Sequence, residues 1–222
     1  MKFQSILKFV APHRTIPDTP WRAQHRWQLS PLRVSILFFG LAIFGLGDSL
    51  LIQAQNGNAP WTVFAEGFSE KFDLEIGLST FIISVFVLLI WIPLREKPGF
   101  GTLSNITLIA LFIQIGVSIF PTVDYLPWQI GYDLLGIAMV GIGSALYITC
   151  GLGPGPRDGA MTGLHRVTGV RIGRIRLGIE LTVVLIGWLM GGTVEIGTLL
   201  FALLIGESIA ISLGVVARLT GR

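Results

Sequence analysis

Apolar residues in this chain come in long runs rather than at the spacing of an amphipathic helix or a half-buried strand. Six runs stand out, over residues 34–52, 76–94, 103–120, 128–149, 177–190 and 196–217. A helix needs about 20 mostly apolar residues to cross the hydrocarbon core of a bilayer, so each run is predicted to be a membrane span. The fifth is short as it stands and must extend into residues 172–176 or into the Gly191-Gly192 turn. Asn56-Gly57-Asn58, Pro98-Gly99, Pro121, residues 151–155 and Gly191-Gly192 punctuate the runs, as turns between helices require. The expected fold class is all-α integral membrane.

Composition agrees. Apolar residues make up 52% of the 222 and charged residues 13%, about half of what a soluble surface normally carries. That excludes a single soluble globular domain. A net charge of +3 is too small to track a phosphate backbone, so no nucleic-acid partner is expected. One cysteine, Cys150, excludes an intrachain disulfide framework.

The charges orient the spans. Lys and Arg accumulate on the cytoplasmic side of bacterial membrane proteins. Here 15 of the 16 fall in residues 1–33, in the second and fourth connections and in the tail; Lys71 alone lies opposite, among Glu66, Glu70, Asp73, Glu75, Asp124 and Glu195. Both termini are therefore expected in the cytoplasm, with the chain in the inner membrane. Trp61 and Trp128 are read as outer and Trp91 and Trp188 as inner members of an aromatic belt. No apolar run precedes residue 34, which argues against a cleavable signal. Phe3, Ile6, Leu7 and Val10 have the spacing of a short amphipathic helix on the inner leaflet; a plain disordered tail fits as well.

Sliding the chain along itself by 96 residues aligns 40–116 with 136–212, with 22 identities over 77 positions and no gap. Seven of these pair glycine with glycine, where about two are expected from the glycine content. The organisation read from this is a cytoplasmic arm (1–32), a first three-span repeat (33–121), a second (122–217) and a short tail (218–222). Three spans are an odd number, so the second repeat must enter from the opposite face. Inverted pairs of this kind are a common plan of secondary transporters, with the site at the midplane between halves. A stable bundle without a pathway is the competing outcome of the same duplication.

Two matching segments point to that site. Residues 57–67 and 153–163 each open on a glycine turn, place Pro60 or Pro156 at a predicted first helical position, and reach another glycine about two turns later. They read as broken or re-entrant elements whose free N–H groups favour anions; surface loops with interfacial helices are the alternative. Gly57, Pro60, Gly153 and Pro156 are taken as site residues.

The stretch 151–164, with its Gly-Pro-Gly-Pro-Arg-Asp-Gly core, together with Gly191-Gly-Thr-Val and Gly197-Thr-Leu-Leu-Phe, resembles the bacterial YczE/YitT-type multi-spanning membrane proteins. The resemblance covers most of residues 33–217. It implies topology and location, for a family without an assigned activity. Asn58-Ala-Pro60-Trp61-Thr62 stands where that family often has a Gly-Pro-Trp-Asp-like stretch, so the acid is absent here.

Four acids fall inside spans: Asp48, Asp133, Glu180 and Glu207. At mid-bilayer a charge costs about 3 kcal/mol on insertion scales, so such residues face a cavity, find a partner or carry protons. Glu180 and Glu207 are expected to approach each other, because the short turn at 191–195 makes the last two spans neighbours. Asp48, Arg157, Asp158, Glu180 and Glu207 complete the candidate site; each also has a structural reading, as helix glue, topology determinant or cap. His13, His25 and His165 have no metal spacing, and no phosphate loop is completed. No cofactor, metal or enzymatic activity is expected. The function predicted is transporter-like movement or binding of a small solute; the alternative is an accessory or scaffold protein. The expected partners are the bilayer, that solute, and a second copy or a membrane protein.

Overall fold

The computed structural model describes Pro12 and residues 15–220. The arm segment carrying Phe3, Ile6, Leu7 and Val10 lies outside them. Eight helices are present among the described residues, and no strand: α1 Pro31–Ala54, α2 Pro60–Phe72, α3 Ile76–Leu94, α4 Phe100–Ile119, α5 Leu126–Thr149, α6 Pro156–Thr168, α7 Ile172–Leu189 and α8 Ile196–Leu219.

Local chemistry sets their ends. Ser30 caps α1, its hydroxyl accepting from the Arg33 N–H at 3.3 Å, and Pro31 occupies the first turn where no N–H is needed. α2 and α6 likewise begin on Pro60 and Pro156. Both run for 13 residues and continue past Gly67 and Gly163. These glycines are points of close approach. Gly67 lies on the Gly187 carbonyl, and Gly163 on Leu94 and Glu96.

Five helices, α1, α3, α4, α5 and α8, are long and apolar enough to cross a membrane. α7 is 18 residues long and differs in charge, carrying Arg174, Arg176 and Glu180. The fifth apolar run does extend back to residue 172. The surface is the inverse of a soluble protein's: Phe39, Phe86, Ile92 and Leu203 stand exposed while Asp48, Asp133, Ser49 and Thr102 are buried. Lipid is the solvent that makes such an arrangement stable. This is an all-α membrane protein.

α1 and α5 form the centre. Gly40 meets the Gly143 carbonyl and Gly47 meets the Gly136 carbonyl, so the helices run antiparallel and nearly backbone to backbone, as small residues permit in membranes. Around them α4 packs on α1, α8 on α5, α2 on α7 and α6 on α3. The starts of α2, α3 and α4 at residues 60, 76 and 100 recur in α6, α7 and α8 at 156, 172 and 196. Contacts recur with the same offset. The Gly197 N–H donates to the Asn56 carbonyl at 2.6 Å, and the Gly101 N–H to the Leu152 carbonyl at 2.8 Å.

Two expectations fail here. α7 and α8 do not pack along each other despite their short connection: α7 is drawn to α2, where Gly187 sits against Val63 and Phe64, and α8 to α5, where Gly141 sits against Ser208. The tryptophans are not one belt. Trp91 is buried, donating its indole N–H to the Pro156 carbonyl at 2.9 Å. Trp61 turns inward, and Trp188 sits at the end of α7 opposite its arginines. The segment before α1 is docked: Thr19 donates to the Thr149 carbonyl at 3.1 Å, and the Ala23 N–H to the Cys150 carbonyl at 2.8 Å.

Candidate functional site

A cavity of about 310 Å³ opens between the two halves, beside the α1–α5 core. Its walls come largely in pairs 96 residues apart: Asp48 with Ser144, Pro60 with Pro156, Trp61 with Arg157, Thr80 with Arg176, Ser84 with Glu180, and Asn105 with Phe201. The cavity therefore straddles the relation between the halves, and its two sides are chemically unequal. The first half supplies Asp48 and neutral polar groups; the second supplies Arg157, Asp158, Arg176 and Glu180.

Local sequence explains how α2 and α6 reach it. Gly57 and Gly153 adopt φ of +93° and +118°, a region where a side chain is strained. A Cβ on Gly57 would also strike the Glu195 N–H, and one on Gly153 the Thr102 hydroxyl. These glycines let the chain turn tightly against the starts of α8 and α4. The following prolines then begin helices whose first turns face the cavity. Neither α2 nor α6 has a side-chain cap, so their N-terminal dipoles stay available to whatever fills the space.

The polar groups differ in how well they are matched. Asp48 is 1% exposed, and its Oδ2 has no hydrogen-bond partner. Asp158 accepts from the Tyr147 hydroxyl at 2.9 Å. Glu180 pairs with Arg176 at 2.8 Å, at a half-exposed edge of the cavity. The Arg157 guanidinium lies 5.1 Å from the centre of the Trp61 ring, within electrostatic reach of Asp48, Asp158 and Glu180. Arg166–Glu96 and Arg176–Glu180 are ion pairs, and Arg157 is in neither.

Six of the nine sequence-derived site residues line this cavity: Asp48, Pro60, Pro156, Arg157, Asp158 and Glu180. Gly57 and Gly153 sit behind it as turn formers. Glu207 lies elsewhere, exposed in an apolar groove between α5 and α8 with Leu134, Ile142 and Ile211. The expected approach of Glu180 and Glu207 fails because α7 and α8 are apart. Asp133 is fully buried and accepts from the Asn56 side chain at 2.8 Å, tying down the turn that contains Gly57. Sequence reasoning missed Trp61, Thr80, Asn105, Tyr147 and Arg176 as wall residues. The repeat alignment held the signal for one of them, since Trp61 is the mate of Arg157. Tyr147, one helical turn past Ser144, had none.

Comparison with known proteins places this architecture. A family model described as a family of unknown function, DUF6198, matches residues 31–213. An uncharacterized protein of Haemophilus influenzae is 42% identical over 206 residues, covering 93% of this chain and 94% of its own. The uncharacterized membrane protein YczE of Bacillus subtilis is 34% identical over 184 residues, 82% of this chain and 86% of its own. The uncharacterized protein YyaS of the same organism is 25% identical over 183 residues, 81% of this chain and 91% of its own. No solved structure matches. With the family model spanning all but the last helical turns and YczE aligned over most of both chains, this protein belongs to the DUF6198 family and is a relative of YczE.

Proposed function

We propose that the protein is a transporter-like inner-membrane carrier that binds a small solute in the cavity between two inverted three-span repeats. In this reading α7 is a sixth span, its charges facing the cavity mouth, and α2 and α6 are re-entrant helices. Both termini are cytoplasmic.

The observation that carries it is the cavity wall, where equivalent positions of the two halves face one space and both interrupted helices begin. A bundle kept only for stability gains nothing from a polar, partly unmatched cavity at its centre. The antiparallel pairing of α1 with α5 supports inversion, since equivalent helices of inverted repeats must run in opposite directions. Glu180, at the mouth, is the group proposed to carry a proton or cation.

The reading is tested by placing a cysteine at Ser144 on the cavity wall and labelling with a charged, membrane-impermeant thiosulfonate in oriented vesicles. Labelling from the cytoplasmic side is expected. No labelling from either side would mean a dry midplane and would overturn the carrier reading. Native Cys150 does not interfere: burial pushes its thiol up to about 12, leaving almost no thiolate to react.

A second reading, a membrane scaffold, draws on Glu207, an exposed acid about halfway along α8. A lipid-facing carboxylate there is costly, and a partner helix would cover it. Glu207→Leu would then abolish association in a gentle pull-down, and the native chain would show no solute flux.

A further inference from the structure

The cavity holds two ionisable groups of opposite sign that form no ion pair, and one of them has an oxygen without any partner. Asp48 is an acceptor, buried to 1% exposure, whose Oδ2 meets no donor. Arg157 is a donor that forms no ion pair, although Asp48, Asp158 and Glu180 surround it. The other two acids are engaged, Asp158 by Tyr147 and Glu180 by Arg176. An unpaired charge in a low-dielectric site is expensive, and neighbouring opposite charges that stop short of pairing leave room for a ligand between them. Two further groups fit. The Thr80 hydroxyl is buried, faces the cavity and has no partner. The first turn of α6, which carries Arg157 and Asp158, has no side-chain cap, and its N–H groups favour an anion.

From these groups we infer that the solute is a free amino acid, its carboxylate held by Arg157 and the start of α6, its ammonium held by Asp48 with Thr80 beside it. The class follows from the chemistry. Asp48 Oδ2 needs a hydrogen-bond donor, which a primary ammonium supplies together with the complementary charge and a quaternary one lacks. Arg157 with a helix N-terminus is a carboxylate receptor of the kind that planar guanidinium groups make best. A volume of about 310 Å³ admits a molecule of amino-acid size and is too small for a long peptide or a whole lipid. This inference rests on the carrier reading above and narrows it.

The test uses the purified full chain in mild detergent. Thermal unfolding is followed with each of the twenty L-amino acids at millimolar concentration, then with the amine and the carboxylic acid matched to any that shift it, and with glycine betaine. At least one amino acid should raise the midpoint by several degrees, and its single-charge analogues and betaine should not. Asp48→Asn and Arg157→Gln should each weaken that binding at least tenfold. Should either variant fold poorly, protection of a Ser144→Cys cavity label by the amino acid in the otherwise native chain gives the same answer. Equal stabilisation by a single-charge analogue, no response to any amino acid, or unchanged binding in Asp48→Asn would overturn the inference. In those cases continued labelling at position 144 would leave the carrier reading standing, and loss of labelling would end both.

Discussion

Two helix seams flank the cavity, and they differ in closure. Between α3 and α4, Gly77 lies against the Ala110 carbonyl, and its N–H donates to the Gln114 side chain at 3.0 Å. Between α7 and α8 the equivalent positions are Gly173, Gly206 and Ala210. A Cβ built on either glycine would meet nothing within 4 Å. The small residues that shut the first seam are thus repeated in the second without being used. What has changed is the wall beside them. Leu78, Thr80 and Ser84 on α3 become Arg174, Arg176 and Glu180 on α7. Shutting the second seam would bury the half-exposed Arg176–Glu180 ion pair, a cost absent from the first. In the carrier reading proposed above, the shut seam would lie toward the outside and the open one toward the cytoplasm, and interchange of the two seams would be the transport step.

Overpacking separates the seams most sharply. Gly77→Leu should destabilise the fold by about 1–3 kcal/mol, read as a lowered unfolding midpoint in detergent. Gly173→Leu should stay within about 0.5 kcal/mol of the native chain, yet abolish counterflow in proteoliposomes because the open seam can no longer shut. Equal stability losses in both variants would contradict the difference between the seams.

A smaller effect is expected one turn along. Gln114→Leu removes the acceptor for the Gly77 N–H and should cost about 1 kcal/mol, whereas Ala210→Leu, its mate, should leave stability unchanged. Hydrogen exchange at the start of α3 would report the loss directly.

The cavity mouth gives the third contrast. Glu180→Gln breaks the ion pair with Arg176 but leaves a surface able to hydrate the arginine, so stability should fall by less than about 1 kcal/mol while proton-coupled flux falls tenfold or more. Glu207→Gln, on the outer face of α8, should leave flux within a factor of two. A reversed ranking would move the coupling role to the α5–α8 groove.

The sequence disclosed this molecule unevenly. Runs of apolar residues mark α1, α3, α4, α5 and α8 because crossing lipid demands length and apolarity together. The offset of 96 located both short helices, α2 and α6, and their prolines, since a glycine turn followed by proline constrains the backbone directly. Which acids share a space was not legible. Glu180 and Glu207 are near in sequence terms through a short turn, but helix association follows surface fit: Gly187 admits α2, and Gly141 admits α8. Asp133 was legible as a buried acid but not as the anchor of the Gly57 turn, because its partner Asn56 is 77 residues away. The openness of the second seam was hidden for a related reason. Gly173 and Gly206 look as able to pack as Gly77 and Ala110, and only the charges on α7 distinguish them.

The proposed interchange of seams is measured most directly by paired spin labels at equivalent exposed positions of the helices that form them, Leu78 with Leu111 on α3 and α4 and Arg174 with Glu207 on α7 and α8. In lipid without solute, the 78–111 pair should give one narrow, short distance and the 174–207 pair a longer, broader one. Under conditions that support flux, a second population should appear in which 174–207 shortens as 78–111 lengthens. Two invariant distances, with the second seam open throughout, would contradict the carrier account.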